Sequence, residues 1–182
     1  MLAMASVARR AFPTVELSAY GLGLMICSPD AVRALEEGAD YMPGRRPLRE
    51  PLRTLVETEQ RVVLLGTGSP QLDYAILPRV GPPPAAARRS AAADVRFGLH
   101  VEGGTVCVRD GYDPMQWKPR LPRSQTFPLT DGYYGVHALS VDSGPDADMT
   151  ILMCFERRAR KLPGHGWPYL GYRVSRRNDD GA

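Results

Sequence analysis

The sequence predicts a mainly β fold, an antiparallel β-sandwich-like domain with one or two short helices. Apolar and β-branched residues run through 95–101, 105–109, 133–141 and 149–156, and Gly, Asp or Pro bounds each run. The 182 residues include 17 Pro and 18 Gly, a composition that favours turns over long helices. Nothing in these runs has the spacing of a catalytic centre, so a binding scaffold is expected before an enzyme.

Further strands are expected in the N-terminal half. Alternating apolar residues at 15–19 lead into the continuously apolar run 22–27, as in a first strand that becomes buried. The runs 61–65 and 72–80 flank the sequence Gly-Thr-Gly-Ser-Pro at 66–70, which is typical of a turn. We therefore predict that these two runs form a hairpin.

One or two helices are expected between the strands. Ser28 and Pro29 are residue types that begin helices, and Gly38 is one that ends them, so about three turns of helix are predicted there. The segment 52–59 fits either a turn of helix or an extended strand.

The Pro/Ala-rich segment 81–93 contains few large apolar residues and is predicted to be a mobile linker or loop. The parts on either side are each about 90 residues long, and neither has an obviously complete set of strands. We therefore expect residues 1–182 to form a single domain with an excursion at 81–93.

The charge distribution argues against direct nucleic-acid binding. The net charge is only +3, whereas nucleic-acid binders usually carry a dense basic stripe with interleaved aromatic residues. The tightest basic cluster is Arg157, Arg158, Arg160 and Lys161, which is expected to be a solvated strand end.

The cysteines and the N-terminus indicate a cytoplasmic protein. Cys27, Cys107 and Cys154 are odd in number and lie inside apolar runs, where Cys behaves as a small hydrophobe. Three free thiols are therefore expected. Residues 1–12 lack the apolar stretch of an export signal, and no apolar run approaches the roughly 18 residues of a membrane span.

No metal, cofactor or nucleophile site is predicted. His100, His137 and His165 are each alone in their segments, without the short ligand spacings of a metal centre. The glycines at 66–68 lack the Lys and Ser/Thr of a phosphate-binding loop, and no Gly-x-Ser-x-Gly motif is present.

A nuclease remains an alternative interpretation. Asp110, Asp113 and Lys118, with Gln116 between them, could hold a divalent ion and orient water. Asp113 precedes a proline in a loop, however, and metal-dependent cleavage needs carboxylates on rigid elements.

Two loop features are candidate partner contacts. Asp142, Asp146 and Asp148 surround Ser, Gly and Pro, which is typical of a hydrated turn but also suits a basic partner such as a nuclease groove. Aromatic residues in Pro/Gly-rich loops either fold back over the core or anchor an interface, and here they are Trp117, Trp167, Tyr169 and Tyr172.

The sequences VRFGLHVEGG at 95–104 and FPLTDGYY at 127–134, followed by an apolar strand at 150–155, resemble the ComJ-like nuclease-inhibitor family, whose relatives include bacterial immunity proteins. The resemblance covers about the C-terminal half. It implies a β-sandwich-like fold, no catalytic residues, and a role in neutralising a nuclease or other toxin, such as one delivered by a type VI secretion system. An enzyme and a structural accessory domain remain the other function classes.

Overall fold

The computed structural model describes residues 11–21, 23–44, 47–68, 71–142, 147–164 and 167–171, which form nine strands in two sheets. Every pair of neighbouring strands is antiparallel except β4 and β9, which are parallel. The prediction of a mainly β, sandwich-like fold is confirmed. The five-stranded sheet has the order β1 (Val15–Ala19), β4 (Leu72–Val80), β9 (Met149–Arg158), β8 (Gly132–Val141), β5 (Ala93–Val101). The four-stranded sheet has the order β3 (Val62–Gly66), β2 (Gly23–Cys27), β6 (Thr105–Asp110), β7 (Thr126–Pro128).

The main core lies between the two sheets, because alternate residues of each strand point toward the other sheet. Leu17 and Phe155 contribute from the five-stranded sheet, and Ile26 and Val108 from the four-stranded sheet. This core contains residues from both sides of 81–93.

A second core covers the outer face of the four-stranded sheet. Met25, Leu64 and Cys107 point away from the main core and pack against Leu52 and Trp117, which come from the long connections. The continuous burial of β2 follows from this arrangement, since both of its faces are covered.

The first strand predicted from the sequence is two strands. It breaks at the exposed Tyr20, and β1 and β2 then lie in different sheets. The predicted hairpin between 61–65 and 72–80 is also wrong, because β3 pairs with β2 while β4 pairs with β1 and β9. The connection between β1 and β2 and the connection between β3 and β4 therefore each carry the chain from one sheet to the other.

The predicted three-turn helix is a 3₁₀ turn of four residues, Pro29–Val32. The Ser28 hydroxyl accepts a hydrogen bond from the backbone N–H of Glu102 at 3.2 Å. It makes no capping bond to the turn, so Ser28 does not act as the helix N-cap that its residue type predicts. The segment 52–59, for which the sequence fits either helix or strand, contains a π-helical turn, Thr54–Thr58. Two further 3₁₀ turns are Asp113–Met115 and Arg123–Gln125.

The structure also differs from the sequence-based expectation at 81–93. A short α-helix, α1 (Ala85–Ser90), follows the prolines, and Ala93 already belongs to β5. Alanine has the highest helix propensity of any residue, and the helix begins with three alanines. It therefore forms although none of its residues is buried.

All three cysteines are free and buried. Cys27 and Cys107 lie directly opposite each other on β2 and β6, a proximity that their separation in sequence does not reveal. Cys154 alternates with core residues of β9 and therefore faces the outer side of the five-stranded sheet.

Candidate partner-binding surface

The topology gathers the predicted loops at one end of the two sheets. Because β1 is antiparallel to β4, and β4 is parallel to β9, the end of β1 lies beside the starts of β4 and β9. The end of β8 joins them through its antiparallel pairing with β9. In the other sheet, the start of β2 and the ends of β3 and β6 occupy the same end. We call this the β1–β2 end.

Carboxylates are concentrated on the five-stranded sheet at the β1–β2 end. The backbone N–H of Asp73 donates to Asp148 Oδ2, and the N–H of Asp148 donates to the Asp73 carbonyl, both at 2.9 Å. Ser18 Oγ donates to Asp73 Oδ1 at 2.5 Å across the β1–β4 pair. These bonds hold the Asp73 carboxylate on β4 and the Asp148 carboxylate directly before β9, while both residues remain exposed.

Two further carboxylates extend this acidic surface. Glu16 lies on the same face of β1 as Ser18 and lines, with Asp73, a shallow depression of about 330 Å³. Asp142 is exposed where β8 ends. Asp146 lies outside the described residues. Sequence reasoning found the loop aspartates but missed Glu16 and Asp73, because charged residues in alternating strands are indistinguishable from an ordinary solvated face.

Exposed aromatic side chains accompany the carboxylates. Tyr20 is 69% exposed in the β1–β2 connection, and Tyr169 is 66% exposed beside the end of β3. Tyr169 is held in place because the Gly66 N–H donates to the Pro168 carbonyl at 2.9 Å and the Leu170 N–H donates to the Gly66 carbonyl at 2.8 Å. Trp167 is half-buried and packs against the second core. Large exposed apolar residues at one site are typical of protein interfaces.

Trp117 is placed differently from the sequence prediction. Its side chain is fully buried in the second core, with the Arg109 guanidinium 4.6 Å above its ring. A buried indole cannot reach a partner without leaving the core, so Trp117 is a fold-back anchor, and we remove it from the candidate contacts.

The residues of the alternative nuclease interpretation have structural partners. The Asp110 carboxylate accepts the backbone N–H groups of Tyr20 at 2.6 Å, Gly21 at 3.0 Å and Tyr112 at 2.9 Å. Asp113 binds the Arg109 side chain; burial raises the Asp113 pKa and the guanidinium opposes that shift.

The structure brings Lys118 near Asp113, since the charge of Lys118 opposes the rise in the Asp113 pKa. The Lys118 carbonyl accepts an Arg109 N–H at 2.8 Å, and Lys118 is exposed. Within the described ranges, no group of three or more His, Cys, Asp or Glu residues could hold a metal ion. The Asp110 and Asp113 carboxylates therefore have structural roles in these loops.

The histidines are also involved in local packing. His100 stacks on Tyr133 with ring centroids 4.3 Å apart. His137 is buried between Asp94 and Glu156, 3.4 and 3.6 Å from its two ring nitrogens. His165 lies outside the described residues.

No helix in the described part of the chain is long and apolar enough to cross a membrane.

Two solved structures are similar to this chain. One is ComJ from Bacillus subtilis, inhibitor of the DNA-degrading activity of NucA, with a TM-score of 0.54, 13% identity, and coverage of 82% of this chain and 98% of ComJ. The other is the crocagin biosynthetic gene J product, with a TM-score of 0.50, 13% identity, and coverage of 81% and 97%. No protein-family model matches the sequence, and no curated protein matches it significantly. The comparisons therefore show a shared fold at low identity, which extends beyond the C-terminal half.

Proposed function

We propose that this chain is a nuclease inhibitor, an immunity protein that binds and neutralises a bacterial toxin in the cytoplasm. The toxin would be a nuclease effector, such as one delivered between bacteria by a type VI secretion system. The proposal includes no cofactor, no catalytic activity, no direct contact with nucleic acid and no membrane attachment.

The observation that carries the proposal is the surface at the β1–β2 end, where exposed carboxylates and exposed tyrosines occur together. A nuclease must present a basic groove to its substrate, and the carboxylates Asp73, Asp142 and Asp148 are complementary to such a groove. Tyr169 and Tyr20 offer apolar area that a partner can bury. The fold shared with ComJ, an inhibitor of a nuclease, supports the same function.

The test is an inhibition assay with the nuclease encoded beside the gene for this chain. We expect a stable complex and loss of DNA degradation at one inhibitor per nuclease. A double variant, Asp142→Asn/Asp148→Asn, should inhibit more weakly than wild type. Its matched control, Glu57→Gln/Asp131→Asn, removes two carboxylates at the opposite end and should inhibit normally.

Two results would contradict the proposal. One is the absence of both complex formation and protection on co-expression with the nuclease. The other is Mg²⁺-dependent DNA cleavage by the purified chain that is lost in Asp113→Ala, which would establish the alternative enzyme.

A further inference from the structure

An apolar pocket of about 370 Å³ opens at the β1–β2 end. Tyr112, Trp167 and Tyr169 form its aromatic walls, and Met42 lines its side nearest the second core. Its volume falls within the range of small-ligand sites in proteins. The pocket is separate from the carboxylates on the five-stranded sheet, since its strand residues belong to β2 and β3.

Glycines leave room for the Tyr169 wall of the pocket. A Cβ atom at Gly66 would lie 2.8 Å from Tyr169 Cδ2, and one at Gly68 would collide with the tyrosine hydroxyl. Gly68 also has a φ of +82°, which side-chain-bearing residues rarely adopt. The ring therefore lies directly on bare backbone at the end of β3. About two-thirds of the residue nevertheless remains exposed.

We propose that this pocket receives an aromatic side chain from the bound protein partner. This inference rests on the proposed function and adds the chemistry of the anchor. The described lining residues include no charged side chain, and their polar side-chain groups are the Tyr112 and Tyr169 hydroxyls and the Trp167 indole N–H. An aromatic side chain suits such a lining, because the protein that carries it supplies its orientation and no charged group in the pocket is needed.

The surroundings also favour a protein partner. Tyr20 offers exposed apolar surface at the same end, which a ligand confined to the pocket would leave uncovered. The carboxylates of Asp73 and Asp148, at the same end but on the other sheet, favour basic residues elsewhere on the partner's binding surface. The expected anchor is therefore an aromatic residue on a basic surface.

The first measurement follows the Met42 methyl signal in the full-length, methyl-labelled chain during titration with N-acetyl-tryptophanamide. The Met42 signal should shift with a millimolar Kd, and the signal of Met153, inside the main core, should not. N-acetyl-lysinamide should produce no shift. Tyr169→Ala should weaken probe binding at least about tenfold, while Tyr133→Ala, at the opposite end, serves as the matched control.

Each outcome decides the inference. The absence of a Met42 shift at saturating probe overturns it. A probe Kd below about 10 μM also overturns it, because the pocket would then be a site for a free aromatic ligand. Unchanged methyl signals elsewhere in Tyr169→Ala establish that the variant is folded.

Competition with the partner nuclease separates this inference from the proposed function. Saturating N-acetyl-tryptophanamide should weaken nuclease binding at least about fivefold. If the nuclease binds equally well with and without the probe, the pocket inference is wrong and the inhibitor function stands. If no nuclease binds, the proposed function is wrong. The inference that the pocket receives a side chain of the partner is then wrong as well, even if the probe still shifts the Met42 signal.

Discussion

Trp117 and Tyr169 are both loop aromatics, but their burial gives them opposite roles. Trp117 is fully buried and contacts Arg109, whose guanidinium also binds Asp113 and the Lys118 carbonyl. Removing the indole would leave a large cavity and release this network. We expect Trp117→Ala to lower the free energy of unfolding by about 3–5 kcal/mol, measured by urea denaturation.

The exposed Tyr169 is the comparison for this prediction. Tyr169→Ala should change the free energy of unfolding by no more than about 1 kcal/mol, because most of its side chain is already in water. It should instead weaken partner binding by about 2 kcal/mol or more, the size of effect typical of an interface hot spot. Equal stability losses in the two variants would contradict this division of roles.

The buried cysteines predict a loss of stability at alkaline pH. Burial raises the pKa of the Cys154 thiol from 9.0 to about 11, while Arg79 opposes the shift. Above pH 9 the unfolded thiol loses its proton and the folded one keeps it, so stability falls by up to about 1.4 kcal/mol per pH unit until pH 11. Below pH 9 this contribution is fully present.

The Cys154→Ala variant isolates that contribution. Between pH 8 and pH 10, wild type should lose about 1 kcal/mol more unfolding free energy than Cys154→Ala. Ser90→Ala, a change at an exposed hydroxyl, should keep the wild-type pH dependence. Identical pH dependences for wild type and Cys154→Ala would show that the folded thiol ionises normally.

At the scale of single elements, the β1–β2 connection depends on one carboxylate. Asp110 accepts three backbone N–H groups from two loops, two of them from Tyr20 and Gly21, where the chain passes between sheets. We expect Asp110→Ala to cost about 2–3 kcal/mol in unfolding free energy, since hydrogen bonds to charged groups are worth more than neutral ones.

Asp110→Asn tests the origin of this cost. It keeps one acceptor oxygen, so its stability should fall between those of wild type and Asp110→Ala in the same denaturation experiment. If neither variant changes stability, the carboxylate does not hold the two loops together.

The strands could be predicted from the sequence more reliably than their partners. The predicted runs 133–141 and 149–156 correspond closely to β8 and β9, because alternation and bounding turn residues are local signals. The pairing of β3 with β2 depends on which face of each strand is buried. Both strands are apolar on both faces, so the pattern carries no information about the partner.

The site could be predicted only in part for the same reason. The loop position and residue types of Asp148 and Tyr169 are visible in the sequence, and both residues are exposed at the β1–β2 end. The contribution of Asp73 arises from its pairing with Ser18 across two strands. The burial of Trp117 arises from a second core that long connections assemble. Neither arrangement has a local sequence signal.

At the scale of the whole molecule, the net charge of +3 does not describe the local surface at the β1–β2 end. Asp73 lies at the start of β4, and Asp148 directly precedes β9. The opposite end carries charges of both signs, since Arg158 pairs with Glu156 there and Arg157 lies beside Asp131. We therefore expect the Asp73 and Asp148 carboxylates to attract a basic partner to the β1–β2 end, although the molecule as a whole is positive. Any mimicry of nucleic acid must be local to the β1–β2 end.

The carboxylates at the β1–β2 end predict how binding responds to salt. Neutralising two carboxylates at the β1–β2 end with Asp142→Asn/Asp148→Asn should slow association with the nuclease several-fold and make it less dependent on ionic strength. The dissociation rate should change less, because exposed charges mainly steer encounter. Stopped-flow or surface-binding kinetics between about 50 and 500 mM salt measure both rates, and the charges are largely screened at the upper limit.

Glu57→Gln/Asp131→Asn removes the same charge from the opposite end, and its association rate should stay within about twofold of wild type. If both double variants slow association equally, net charge governs encounter and the β1–β2 end has no special part in it.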